Sequence, residues 1–232
     1  MISKCSNCKK PNSNWHPTPD FKIPKRGKFI VIEGLDKSGK TTQCKILQER
    51  MAQNRHNAKL TQEPTNGPIG NLIQNMNLTD KNEISERVLA MLCAADRMDH
   101  VENPRYGGIY NTLNRDKIHV ISERYFYTSF AYHLNDLPWE TVVEINKPIM
   151  DYLIPDLTVF IDISPKESIK RMNTGMVNET EMGHIYAMYH RVIKNIGEGY
   201  VKWGPMIVVP GDVSVGEIHS YIWECVEKIL EE

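Results

Sequence analysis

One stretch constrains this chain more than any other. Gly34-Leu35-Asp36-Lys37-Ser38-Gly39-Lys40-Thr41 fits the pattern G-x-x-x-x-G-K-[ST] without a mismatch. Its glycines let backbone N–H groups turn inward around phosphate oxygens, and a following helix offers its positive end to the same anion. Lys40 then reaches the β- and γ-phosphates of a nucleotide, and the Thr41 hydroxyl reaches a Mg²⁺ ion. Such a loop works only between a strand and a helix, and the sequence supplies both. Lys28–Glu33 contains the apolar run Phe29-Ile30-Val31-Ile32, the pattern of a buried parallel strand. From Thr41 onward, Cys44, Leu47 and Met51 share one helical face.

The alternation continues. Lys117–Ser122, Leu157–Ile163 and Pro205–Val209 read as further strands. Between them, Ile84–Arg97 carries Val88, Met91, Leu92 and Ala95 at helical spacing, and Ile218, Ile222, Cys225, Val226 and Ile229 mark a closing amphipathic helix. Strands alternating with helices predict βαβ units. The expected fold is a P-loop NTPase-type α/β three-layer sandwich with a central parallel sheet of about five strands. One domain is expected over 27–232. Residues 1–26, broken by Pro11, Pro17, Pro19 and Pro24, read as a poorly ordered extension.

Composition narrows the partners. With 232 residues, 41% apolar, and a formal net charge of −1, the chain suits one sizeable core. It lacks the basic excess of a nucleic-acid binder, whereas a small phosphorylated ligand needs only a few local cations. No apolar run approaches the ~18 residues of a membrane span, so the expectation is a cytoplasmic protein with no membrane partner. Five scattered cysteines read as reduced thiols. Cys5 and Cys8 form a C-x-x-C pair and His16 offers a third donor, short of the ligands that structural zinc requires.

The acceptor has to be read outside the loop, since GTPases, ATPases and kinases all use it. From Phe29 onward the chain resembles the thymidylate kinases, and four segments carry the likeness: Glu33 to Gln43 with its internal Asp36, Glu63-Pro64-Thr65-Asn66-Gly67-Pro68-Ile69-Gly70, Leu92-Cys93-Ala94-Ala95-Asp96-Arg97, and Glu123-Arg124-Tyr125 with Thr128, Ala131 and Tyr132 downstream. The resemblance implies ATP–Mg²⁺ as donor, dTMP as acceptor in dTTP synthesis, and a homodimer. It implies ATP binding by Gly34, Leu35, Asp36, Lys37, Ser38, Gly39, Lys40, Thr41 and Thr42. Arg171 and the turn Pro210-Gly211-Asp212 would flank the adenine. Arg97 and Arg124 would grip the acceptor phosphate, whose geometry matches a guanidinium fork. Asp36 would sit between the nucleotides, Tyr132 beside the deoxyribose, and Glu63, Cys93 and Thr128 along the acceptor. Thr41 and Glu123 would serve the metal; Lys37, Lys40 and Arg124 would be catalytic. Asp162, inside Phe160-Ile161-Asp162, imitates an acidic metal ligand but, as an acid at strand mid-length, is read instead as structural.

The chain departs from the family pattern in places. Glu123 replaces an aspartate, and Gln62 replaces an arginine. Cys93 stands where the family has an aromatic residue that stacks on thymine, so base selection is reshaped or another aromatic such as Tyr127 makes the loss good. The expected short lid, about 172–190, contains no lysine or arginine, which leaves Lys37 as the cation for the γ-phosphate. The nearest rival is a deoxynucleoside kinase, which phosphorylates a hydroxyl and would use Glu63 as base. A P-loop switch without kinase activity would need a sensor region, and none is recognisable.

Overall fold

The computed structural model describes residues 25–78, 84–105, 108–172, 178–199 and 201–231. Cys5, Cys8 and His16 lie outside them. In chain order the elements are β1 (Phe29–Gly34), α1 (Lys40–Gln53), β2 (Ala58–Gln62), α2 (Pro68–Leu78), α3 (Glu86–Glu102), α4 (Ile109–Asn114), β3 (His119–Glu123), α5 (Phe126–His133), α6 (Trp139–Tyr152), β4 (Leu157–Asp162), α7 (Pro165–Met172), α8 (Glu179–Gly197), β5 (Met206–Pro210) and α9 (Val215–Glu231).

The five strands form one all-parallel sheet in the order β2-β3-β1-β4-β5. β1 is central and wholly buried, which is why Phe29-Ile30-Val31-Ile32 reads as an unbroken apolar run. Its side chains alternate between two cores. Ile30 and Ile32 join Leu47, Met51, Ile222 and Val226 beneath α1 and α9. Phe29 and Val31 join Tyr125, Phe126, Phe130, Phe160 and Tyr189 beneath the helices of the other face. The result is the P-loop NTPase-type α/β fold that the alternation predicts. Among the described residues no helix is long and apolar enough to cross a membrane.

Two local readings are corrected. The hydrophobic pattern marked four strands and passed over β2. Ala58-Lys59-Leu60-Thr61-Gln62 is an edge strand with only Ala58 buried, Leu60 and Thr61 half-buried and Lys59 and Gln62 exposed, so it carries no clear apolar signature. On α3, Val88 and Met91 were expected to face inward, yet they are 44% and 53% exposed. The buried face carries Ala90, Asp96, Arg97, His100 and Val101 instead. This helix turns a polar face to the interior, because the interior there is an ionic network and a cavity. α9 packs as its spacing predicts, through Ile218, Ile222 and Val226.

Candidate active site

The site is built at the carboxyl ends of the central strands, where ligands bind in open parallel sheets. β1 ends at Gly34 with φ 148°, and a Cβ there would come within 2.6 Å of the Ser38 hydroxyl and 2.7 Å of the Ile161 carbonyl. Only glycine fits so close an approach. The turn closes with the Ser38 N–H donating to the Leu35 carbonyl at 3.1 Å. Lys37 and Gly39 both lie in the left-handed region, at φ 59° and 104°; a lysine held there is strained backbone of the kind found at functional sites. Gly39 caps α1, so Lys40 and Thr41 open the helix, with Thr42 exposed beside them.

Lys40 is buried and donates to the Leu35 carbonyl at 2.9 Å. Burial lowers its pKa to about 8, aided by the Arg124 charge and opposed by Asp36, Glu123 and Glu33. Lys37 is exposed. Its carbonyl accepts from Arg171 Nη1 at 3.4 Å, and Arg171 Nη2 donates to the Gly211 carbonyl at 3.0 Å. Arg171 therefore bridges the phosphate loop to the turn after β5. From α7, the Ser168 hydroxyl donates to the Asp36 carbonyl at 2.6 Å and fixes the middle of the loop.

Thr41 donates its hydroxyl to Glu123 Oε2 at 2.6 Å, pairing the helix start with the end of β3. Two oxygen ligands on the open side of the loop fit a small hard cation that keeps several of its waters. Asp162 sits apart from this pair, 3.4 Å from His190 Nε2 on α8.

Beyond β3 the chain turns through Arg124 at φ 71°, a second strained residue. Its N–H donates to the Ile32 carbonyl at 3.0 Å and its carbonyl accepts from the Ser122 hydroxyl at 2.8 Å. The guanidinium pairs with Asp36 and donates to the Tyr132 hydroxyl at 3.3 Å, lying 5.3 Å above that ring. Arg97 is held more tightly. Nε donates to Glu63 Oε2 at 2.7 Å, and Nη1 donates to Asn146 Oδ1 at 2.6 Å and Ser129 Oγ at 3.1 Å. Nη2 reaches the Tyr125 carbonyl at only 3.4 Å. The other Glu63 oxygen contacts His100 Nδ1 at 3.1 Å. Breaking a buried ion pair of this type costs about 3–5 kcal/mol, since one charge is left uncompensated.

Asp36, Glu63, Cys93, Arg97, Arg124, Thr128 and Tyr132 all line one cavity of about 540 Å³. These are all the acceptor-side residues singled out from the sequence. Ile73, Met76 and Leu89 line the same cavity beside Cys93, and the pair Glu86–His133, at 2.5 Å, also borders it. The Cys93 thiol is pushed up to about 11, chiefly by burial. Tyr127 does not replace the missing aromatic: it is fully buried in the core and donates to the Trp203 carbonyl.

Sequence reasoning missed Glu33, Asp96, His100, Ser129, Asn146 and Tyr189. Asp96 accepts from both the Thr65 N–H and its hydroxyl, at 2.8 and 2.6 Å, and so secures the loop that carries Glu63. Asn146 is oriented by its own bond to the Val142 carbonyl at 2.9 Å, which turns its oxygen toward Arg97. Neither left a local signal. Glu33 did leave one, as a carboxylate at an inward position of an apolar strand.

Comparison with known proteins bears on the same residues. The chain matches the thymidylate kinase family over residues 32–222. It is 37% identical to a probable thymidylate kinase of Thermococcus onnurineus over 87% of this chain and 98% of the relative. A probable thymidylate kinase of Thermococcus kodakarensis is 33% identical over 88% and 99% of the two chains. For one of Methanococcus maripaludis the identity is 34%, over 84% and 92%. A match that runs through the phosphate loop, the Glu63 loop, α3 and the Arg124 turn, on relatives covered almost end to end, places this protein in the thymidylate kinase family.

Proposed function

We infer that the protein transfers the γ-phosphoryl group of ATP to dTMP, giving dTDP and ADP. The observation that carries this reading is a cavity beside the phosphate loop with two arginines, Arg97 and Arg124, in its wall. An acceptor that is already an anion suits such a wall. An oxygen of the dTMP phosphate attacks the γ-phosphorus in line, the bond to the β–γ bridging oxygen breaks, and ADP leaves with the negative charge. No general base is required, because the attacking phosphate is ionised near neutral pH. Positioning and electrostatics therefore do most of the work.

Arg124, beside Asp36, is the residue we assign to the acceptor phosphate. Arg97 has Nε and Nη1 engaged, while Nη2, with one long bond to the Tyr125 carbonyl, keeps its second N–H for the acceptor. Tyr132 lies against the sugar in this reading. Lys40 and the loop N–H groups hold the donor phosphates, and Arg171 flanks the adenine. Thr41 and Glu123 would hold Mg²⁺, which when bound neutralises charge on the β- and γ-phosphates. The deoxynucleoside kinase reading needs Glu63 as a base, yet one of its oxygens accepts from Arg97 and the other is in contact with His100.

A homodimer is part of the proposal. Leu72 on α2 and Val88 and Met91 on α3 are exposed on helices that pack together, an apolar surface suited to a second copy. Free thiols at Cys44, Cys93 and Cys225 agree with a reducing, cytoplasmic setting. ADP release measured with dTMP, dUMP and thymidine tests the acceptor: kcat/KM should be highest for dTMP, and faster turnover of thymidine refutes the assignment.

A further inference from the structure

Glu33 has no part in the mechanism above, and its position is unusual. It follows Phe29 and Val31 on the inward face of β1, where the alternation calls for an apolar side chain. Its exposure is 0%. A carboxylate left there without partners would be strongly unfavourable, so its partners reveal what it does.

Its partners come from three places: the turn after β3, α5 and α8. Oε1 accepts from the Tyr125 N–H at 2.8 Å, the peptide immediately after the strained Arg124. Oε2 accepts from the Thr128 hydroxyl at 2.9 Å, in the first turn of α5, and from the Tyr189 hydroxyl at 2.9 Å on α8. Those two hydroxyls are themselves 3.2 Å apart. Burial pushes the carboxyl up, and the Arg124 charge and these three hydrogen bonds pull it back. One carboxylate thus grips the turn that presents Arg124, the start of α5, and α8.

We propose that Glu33 is a positioning residue for phosphoryl transfer, fixing the Arg124–Tyr125 turn from behind and joining it to α8, so that the arginine facing the acceptor phosphate is held in place by both α5 and α8. The left-handed conformation at Arg124 needs such support. Its own N–H and carbonyl are secured by Ile32 and Ser122, and Glu33 supplies the tie on the following peptide. The oxygen that holds α8 also holds α5, so α8 is tied to the Arg124–Tyr125 turn through the two oxygens of one carboxylate.

The inference rests on the dTMP kinase reading, and its test separates the two. Glu33→Gln keeps the shape and can still accept from the Tyr125 N–H, while its amide donates to the two hydroxyls; the charge is lost. Tyr189→Phe removes the hydroxyl by which α8 contacts Glu33 and Thr128 and leaves the Glu33 charge in place. Both are compared with wild type by steady-state kinetics in each substrate, by calorimetric titration of dTMP without ATP, and by thermal melting. Glu33→Gln is expected to lower kcat/KM for dTMP at least tenfold and weaken dTMP binding, with KM for ATP within about twofold of wild type. Tyr189→Phe is expected to lower kcat/KM for dTMP at least fivefold, with the melting temperature little changed. A Tyr189→Phe enzyme within twofold of wild type for dTMP overturns the proposal, and decides it alone should Glu33→Gln fail to fold. A Glu33→Gln enzyme that loses ATP and dTMP function in equal measure along with its stability also overturns it, since that is the behaviour of a purely structural carboxylate. A wild type that does not phosphorylate dTMP sinks the functional reading instead.

Discussion

Lys37→Met is the perturbation that most directly tests where the γ-phosphate finds its cation. From Met172 to His190 the chain contains no lysine or arginine, and the cations at its borders are committed. Arg171 pairs with Glu167 at 2.8 Å and bridges to Gly211, while Arg191 lies 4.8 Å above the Trp139 ring. Lys37 is exposed in the phosphate loop, and no ion pair engages it among the described residues. Methionine has a similar length and the same lack of β-branching, so the left-handed backbone at this position is no more strained by the change. A unit charge 4 Å from another contributes about 4 kcal/mol at an effective dielectric of about 20. If about half a charge moves to the β–γ bridging oxygen in the transition state, the differential effect is about 2 kcal/mol, or about thirtyfold in kcat. Steady-state kinetics should show kcat and kcat/KM falling together with ATP affinity nearly intact. A kcat within about threefold of wild type, about 0.65 kcal/mol of barrier, refutes the reasoning.

Two other outcomes follow from the same site. Because burial holds Lys40 at about 8, the free enzyme must take up a proton to bind ATP above that pH. KM for ATP should therefore rise about tenfold between pH 7 and pH 9, and a flat profile would show that Lys40 stays charged throughout. Cys93→Phe restores a ring to the cavity wall; stacking on a base is worth about 1–3 kcal/mol. KM for dTMP should fall at least threefold, and an unchanged KM for every monophosphate would remove Cys93 from the base-facing wall.

The sequence by itself determined the loop and the central strands, because both depend on local chemistry. G-x-x-x-x-G-K-[ST] specifies its own conformation through glycine and the helix that follows, and β1, buried on both faces, is apolar from Phe29 to Ile32. The acceptor-side residues were legible as short segments whose order matched a family, and Asp36, Glu63, Cys93, Arg97, Arg124, Thr128 and Tyr132 converge on one cavity. What tertiary structure alone decided is how those residues are held. β2 escaped notice because an edge strand half in water has no apolar period. α3 misled because its inward face is ionic, so Val88 and Met91 marked the outside. The partners of Arg97 come from the Glu63 loop, from Ser129 on α5 and from Asn146 on α6, and those of Glu33 from Tyr125, Thr128 and Tyr189. A hydrogen bond between residues distant in the chain leaves no periodicity in either segment. Only the packing of α5, α6 and α8 over the sheet brings a buried charge and its donors to the same point.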